Sequence, residues 1–140
     1  MFKNIFKKKE KGNLNDKDVI VASLLVHAAK MDQNYTDKEK KIITRALIDI
    51  NNINPNQAEK LLKHAEEKED ASNQIVEFTR EIKKYSMEYR LKIIEVIWKI
   101  VYSDGISDSY ESTLVRRICG LLYIADKDSG IIKTKVQNLK

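Results

Sequence analysis

The chain has 140 residues, of which 42% are hydrophobic and 34% are charged, a balance typical of a globular domain with a well-hydrated surface. A chain of this length can bury one hydrophobic core without disulfides or metals, so no second domain is needed. The apolar stretches at 19–29 and 93–101 are interrupted by polar residues and fall short of the roughly 20 residues that span a bilayer. The composition therefore argues against a disordered or membrane-spanning protein.

The formal net charge of +5 is concentrated at the N-terminus, where residues 1–12 hold five Lys and one Glu. The rest of the chain is close to neutral, so total charge does not favour nucleic acid as a partner. Cys119 is the only cysteine and has no partner for an internal disulfide, which fits a reducing cytoplasm. The N-terminus also lacks the apolar core of a secretory signal, so we expect a cytoplasmic location.

The basic N-terminal tail, residues 1–12, precedes the predicted helical domain at 13–140. Its apolar residues follow helical spacing among lysines, a pattern typical of a short interfacial helix on an anionic membrane. Two interpretations therefore stay open: peripheral contact with the inner membrane, or a frayed basic terminus without a binding role. The residues that would contact lipid are Phe2, Lys3, Ile5, Phe6, Lys7, Lys8 and Lys9.

The remaining sequence predicts helices almost throughout, because it has only four Gly and one Pro and no sustained period-2 alternation. Helix-start signals recur along it, including a T-x-x-E capping box and an Asn-Pro pair. The predicted fold class is all-α, a single domain of about seven helices. The starts are placed at Asp16, Thr36 with Glu39, Asn54 with Pro55, Ser72, Ser86, Asp108 with Glu111, and Asp126.

Two of these helices, at about 16–31 and 87–101, are apolar on most sides and are therefore predicted to be central. Phe78, Trp98 and Cys119 fall in apolar register, so we expect them in the core. His27 and His64 have no Cys or His at metal-ligand spacing, and a structural role is the stronger interpretation of both.

A weak internal repeat appears when the chain is shifted by 72 residues, which lays 24–47 over 96–119. The identical pairs are Asp32 with Asp104, Glu39 with Glu111, and Arg45 with Arg117. Apolar positions coincide as well, and both copies run from a buried helix through a short loop to an amphipathic helix. The repeat predicts two pseudo-symmetric helix-loop-helix hairpins.

Each hairpin places an Asp where it faces the negative end of a helix dipole, at a cost of roughly 0.3 to 1 kcal/mol that some contact should offset. Loop amides could satisfy Asp32 and Asp104, while Glu39 and Glu111 complete capping boxes. Alternatively, the carboxylates of both hairpins approach one another and bind a hard cation. An EF-hand is excluded, because Asp37 replaces the Gly at its sixth loop position.

The second hairpin lies in the stretch FTREIKKYSMEYRLKIIEVIWKIVYSDGISDSYESTLVRRICGLL, which resembles the TerB-like tellurite-resistance family. The hallmark of that family is an acidic D-G-x-[IL]-[SD]-x-x-E loop followed by a helix with paired basic residues. The earlier segment AAKMDQNYTDKEKKII looks like the family's first copy of the motif. The resemblance extends over about residues 16–136.

The resemblance implies a fold of about seven helices that is shared with the N-terminal region of the co-chaperone DjlA. It also implies a clustered acidic surface that binds a divalent cation such as Ca, Mg or Zn. The sequence departs from the family pattern at Gln33, at Ile106 with Ser107, and at Gly130, where a bulky apolar residue would anchor the last helix. The metal-binding residues that carry over are Asp32, Glu39, Asp104, Asp108 and Glu111.

No phosphate-binding loop, nucleophile elbow or zinc-protease motif occurs in the chain, so we do not expect an enzyme. The leading hypothesis is a TerB-like module that binds a divalent cation or a protein partner through its twin acidic loops. It would serve a stress-response or membrane-associated complex. The alternative is a metal-free structural interaction domain that its basic tail holds at the inner membrane, with no cofactor.

Overall fold

The structure is a computed structural model that describes residues 16–31, 35–72, 74–103 and 109–139, with the side chains of 109–112 left out. These residues form helices and no strand, so the predicted all-α fold is confirmed. In chain order the helices are α1 Asp16–Lys30, α2 Asp37–Asn51, α3 Pro55–Asp70, α4 Val76–Ile82, α5 Met87–Val101, α6 Ser109–Leu121 and α7 Asp126–Asn138.

Helices α1 and α5 form the centre of the domain. Helix α1 packs against α2, α3, α4 and α5, and α5 packs against α1, α2, α6 and α7. Both are buried around most of their circumference, with Leu24, Leu25, Ile93 and Ile97 fully inaccessible. The near-continuous apolar sequence of each helix therefore reflects contact with neighbours on several sides, as predicted.

The capping box predicted at the start of α2 and the cap predicted at Asn54 for α3 are both confirmed, and the Asn54 cap is itself a capping box. Thr36 caps α2 together with Glu39, and Asn54 caps α3 together with Gln57, followed by Pro55 at the first helical position. Each box satisfies two backbone amides that the helix leaves without partners. Ser86 caps α5 in the same way, accepting a hydrogen bond from the Tyr89 amide at 3.2 Å.

The predicted helix start at Ser72 is wrong, because α4 begins at Val76 and its N-cap, Ile75, makes no side-chain cap bond. The Ser72 amide donates to the Glu69 carbonyl at 3.2 Å, and its hydroxyl donates to the Glu77 carboxylate. Ser72 therefore follows the end of α3, and it lies too far before Val76 to act as the N-cap of α4.

The acidic residues predicted to cap α1 and α7 lie inside those helices. The N-cap of α7 is Ala125, and Asp126 is its first helical residue. Asp16 is likewise in the first turn of α1. Both carboxylates stabilise their helices through the positive end of the helix dipole. The predicted start at Asp108 lies outside the described residues.

Helix α7 is anchored by a serine and not at Gly130. The indole N–H of Trp98 donates to Ser129 Oγ at 3.1 Å, and both side chains are buried. Gly130 is exposed, and a Cβ there would have no atom within 4 Å. Its departure from the family pattern therefore leaves no gap in the core. Phe78, Trp98 and Cys119 are buried as predicted.

Candidate functional site

Of the five predicted metal-binding residues, the structure describes the side chain of one, Glu39. Asp32, Asp104 and Asp108 lie outside the described residues, and Glu111 falls within α6 but without a described side chain. Whether the two acidic loops meet stays a prediction. The surroundings of the first loop, residues 32–34, can nevertheless be followed through Lys30, Tyr35 and the helices beside them.

Glu39 is nearly inaccessible, with 4% of its surface exposed, which is unusual for a carboxylate. Its Oε1 accepts a hydrogen bond from the Thr36 amide at 2.9 Å, and its own amide donates to Thr36 Oγ1 at 3.1 Å. The predicted capping role of Glu39 is therefore confirmed. The same contacts hold its carboxylate in a fixed position three residues after Thr36, where the first loop ends.

Tyr35, the first described residue after the loop, ties it to α3. Its hydroxyl donates to Glu66 Oε2 at 2.7 Å, across 31 residues of sequence. Lys40 Nζ lies 3.9 Å from the same Glu66 oxygen and 5.0 Å from the centre of the Tyr35 ring. The end of the loop is thus fixed by an aromatic side chain between a carboxylate and an ammonium group.

Glu69, one turn further along α3, fixes the other side of the loop. Its two carboxylate oxygens contact Lys30 Nζ at 2.9 Å and His27 Nδ1 at 3.1 Å. Lys30 also reaches Asp70 Oδ1 at 3.3 Å, although Asp70 is largely exposed. The pKa of Lys30 lies above its usual value, mainly because its ammonium group donates a hydrogen bond to Glu69. The last turn of α1 is therefore bound to the last turns of α3.

Negative charge accumulates around the Tyr35 hydroxyl. Burial raises the pKa of Tyr35 well above its usual value, and the hydrogen bond and charge of Glu66 raise it further. The charges of Glu39 and Glu69 act in the same direction. Three carboxylates from two helices therefore act on the Tyr35 hydroxyl beside the first acidic loop, and the ammonium groups of Lys30 and Lys40 lie near the same ring.

The described carboxylates do not by themselves form a metal site. No group of three His, Cys, Asp or Glu side chains within the described residues could hold an ion. Glu66 and Glu69 are already bound by Tyr35, Lys40, Lys30 and His27. Their oxygen donors suit a hard cation such as Ca²⁺ or Mg²⁺, but an ion here would require further oxygens from the loop.

Glu66 and Glu69 were not among the predicted site residues. The sequence indicated only an acidic outer face on α3, and such a face is usually solvated. Glu69 reaches the loop through its contacts with Lys30 and His27, which precede it in the sequence by 39 and 42 residues, respectively. The nearest local signal was Tyr35, an aromatic residue with a polar hydroxyl that needs a partner when buried.

The remaining candidates lie elsewhere. His64 is exposed, and burial raises the pKa of the Cys119 thiol, which disfavours the reactive thiolate. The tail residues proposed to bind lipid lie outside the described residues. Among the helices that the structure describes, none has the length and apolar character needed to cross a bilayer.

The described residues define an all-helical domain in which Glu39, Glu66 and Glu69, from two helices, lie around the first loop. The family model described as "Tellurite resistance protein TerB" matches residues 18–134, which is most of the chain. The chain belongs to the TerB family. No curated protein and no solved structure matches it.

Proposed function

We propose that this TerB domain is a non-catalytic binding module that takes up a divalent cation at its acidic loops. The observation that carries the proposal is the set of carboxylates held beside the first loop: Glu39 binds the Thr36 amide at 2.9 Å, Glu66 accepts the Tyr35 hydroxyl at 2.7 Å, and Glu69 binds Lys30 at 2.9 Å. Asp32 lies in that loop and would add the oxygens that the described carboxylates do not supply. Family membership supports the same assignment for the second loop.

In this proposal, Asp32 and Glu39 serve the first loop, and Asp104, Asp108 and Glu111 serve the second. All are oxygen donors, which favours Ca²⁺ or Mg²⁺ over softer ions, although Zn²⁺ also accepts carboxylates. Burial of Glu39 has already removed most of its hydration in the folded chain. Less desolvation then remains for ion binding, while Lys30 and Lys40 limit repulsion among the carboxylates before the ion arrives.

The module would act in a stress-response complex, with a protein partner that binds differently according to whether the acidic loops hold a cation. A cation that orders an acidic loop changes both its shape and its charge, and both changes can be read by a partner. This role needs no chemistry at the site, in keeping with a sequence that lacks catalytic motifs.

The direct test is calorimetric titration of the full chain with Ca²⁺, Mg²⁺ and Zn²⁺, repeated on Asp32→Asn and Asp104→Asn. Asp49→Asn is the matched control, because Asp49 is exposed near the C-terminal end of α2, whereas the first loop precedes the N-terminal end of that helix. We expect loss of at least about tenfold in affinity for a loop variant and none for the control. If no ion produces heat or raises the melting temperature, the cation proposal is wrong.

A second variant separates the capping role of Glu39 from ligation. Glu39→Gln keeps an oxygen that can accept from the Thr36 amide, since Gln also completes capping boxes, but it removes the charge. We expect the unfolding midpoint without ions to change little and the affinity for the cation to fall. If both quantities remain at their wild-type values, Glu39 acts only as a cap.

A second candidate function, peripheral membrane association, is favoured by the sequence of residues 1–12. Phe2, Ile5 and Phe6 stand at helical spacing among five lysines, and this pattern binds anionic lipid weakly. Co-sedimentation with vesicles containing phosphatidylserine should fall when residues 1–12 are deleted. Equal binding by the full and shortened chains would refute the membrane role without affecting the cation proposal.

A further inference from the structure

Helices α2 and α5 enclose a groove of about 470 Å³, and its described lining residues come from these two helices. Its apolar residues are Ile42, Ala46 and Ile50 from α2 and Val96 from α5. Ala46 and Val96 are buried, while Ile42 and Ile50 are partly accessible. The groove therefore offers hydrophobic surface that the core of the domain does not use completely.

Positive charge surrounds this apolar surface. Lys38, Lys41 and Arg45 follow one another along α2, and Lys92 faces them from α5. All four are exposed, and none forms an ion pair with another described residue. Four unpaired cations in one groove are unexpected in a domain that is nearly neutral outside its tail.

The acidic residues in the groove do not neutralise it. Glu95 is already shared between Lys99 at 3.5 Å and Lys135 at 3.2 Å. Asp49 supplies the other carboxylate of the lining. The groove as a whole thus keeps a clear positive excess, and an acidic ligand would be attracted to it and held in register by the cations.

We propose that this groove, which we call the α2–α5 groove, is the docking site for an acidic amphipathic helix of a partner protein. Such a helix would place apolar side chains on Ile42, Ala46, Ile50 and Val96. Its Asp and Glu residues would flank that stripe and pair with the cations of both helices. Amphipathic helices bind grooves between helices in this manner through anchors at i, i+3 or i+4, and i+7.

The arrangement disfavours the other occupants. The chain's own N-terminal tail carries a charge of +4 and would be repelled. A flat anionic bilayer could reach the exposed cations, but apolar residues recessed between two helices cannot insert into it. None of the described groove residues belongs to an acidic loop, so docking and cation binding are tested on different residues.

The experiment uses the full chain and two designed helical peptides of about 15 residues, a length that matches α2. Both carry the same Leu stripe at helical spacing; one has Glu at the flanking positions and the other has Gln. We expect saturable binding of the Glu peptide, at least about tenfold tighter than the Gln peptide and weaker at high salt. Amide NMR shifts should change at residues 38–50 and 92–99. Equal binding of the two peptides, or binding of neither, overturns the proposal.

Variants then locate the site. Lys41→Glu combined with Arg45→Glu should weaken binding of the Glu peptide by at least about tenfold. The control, Lys60→Glu with Lys127→Glu, makes the same charge change at exposed positions outside the groove and should change affinity less than about twofold. Equal losses in the two double variants would mean that only overall charge matters, and the proposal would fail.

A steric variant and two further measurements distinguish the remaining occupants. Ala46→Gln fills the apolar part of the groove without changing its charge, so it should also weaken binding of the Glu peptide; unchanged affinity contradicts the proposed pose. Phosphatidylserine vesicles that displace the peptide would assign the groove to lipid instead. Self-association that the Lys41→Glu, Arg45→Glu variant abolishes would assign it to a second copy of the chain.

Discussion

Gly130 stands on the exposed side of α7, where its flexibility serves no visible purpose. Gly inside a helix costs about 0.5 to 1 kcal/mol relative to Ala, because the unfolded chain has more conformations to lose. A methyl group at Gly130 would have no atom within 4 Å. We expect Gly130→Ala to stabilise the domain by about that amount and to raise the melting temperature by about 2 to 5 °C. A lower melting temperature in calorimetry would show that α7 is not helical at this position.

The neighbouring Ser129 should respond in the opposite direction. It is buried and accepts the indole N–H of Trp98, and it also contacts the Cys119 thiol. Ser129→Ala leaves a buried donor without a partner, which costs about 1 to 3 kcal/mol. In chemical denaturation, the unfolding midpoint should therefore rise for Gly130→Ala and fall for Ser129→Ala. Midpoint shifts of the same sign would contradict this register of α7.

The contrast between residues 129 and 130 marks a limit of sequence reasoning at this scale. Apolar periodicity identified the core residues Phe78, Trp98 and Cys119 correctly, because burial of a large apolar side chain is visible in the sequence. It could not identify a serine as the anchor of α7. That role depends on the direction of the Trp98 N–H, which belongs to a helix 31 residues away.

At the scale of single elements, the start of α2 is the most informative. Thr36→Ala removes the acceptor of the Glu39 amide and should cost about 1 kcal/mol of stability. Thr36→Ser keeps a hydroxyl and should stay within a few tenths of wild type. Urea unfolding of both variants tests this prediction. If the two variants lose equal stability, the methyl group of Thr36 matters and its hydrogen bond does not.

Helix starts were predictable where their signals are local. The boxes at Thr36 and Asn54 involve residues three positions apart, so the sequence contains both partners. Ser72 failed because its amide is taken by the preceding helix. Asp126 failed by a single residue, since an acidic residue stabilises the first turn of a helix as readily as it caps one.

At the scale of the whole molecule, the contacts around the first loop predict how stability depends on pH. The pKa values of Lys30 and Tyr35 are raised there in the folded chain, and burial raises the pKa of Tyr89 on α5 as well. Above about pH 10 the unfolded chain therefore releases protons that the folded chain retains, and stability must fall as pH rises. Below the unfolded pKa values these groups are protonated in both states, and their contribution is fully present.

We expect the free energy of unfolding to decline between about pH 9.5 and 11.5 in urea titrations. Tyr35→Phe should flatten that decline, because the variant has no hydroxyl to titrate beside Glu66. If Tyr35→Phe leaves the decline of the free energy of unfolding with pH unchanged, Tyr35 does not contribute to that decline.

The candidate site shows the same division between local and long-range information. Glu39 was found from its spacing to Thr36, whereas Glu66 and Glu69 reach the first loop through the packing of α3 on α1 and α2. Nothing in the periodicity of α3 distinguishes a carboxylate that faces a loop from one that faces solvent. The α2–α5 groove was missed for a related reason, since its cations come from helices that are distant in sequence.

Trp98 is the only tryptophan of the chain, so its fluorescence reports on one place. Its indole lies stacked on Tyr102 at 5.8 Å between ring centres, below Lys133 of α7, and 4% exposed. Detachment of α7 would expose this ring to water and shift its fluorescence emission to longer wavelength before α1 and α5 separate. A shift of Trp98 emission at lower denaturant than the loss of helical circular dichroism would thus distinguish local opening of the C-terminal helix from global unfolding, with no label attached to the protein.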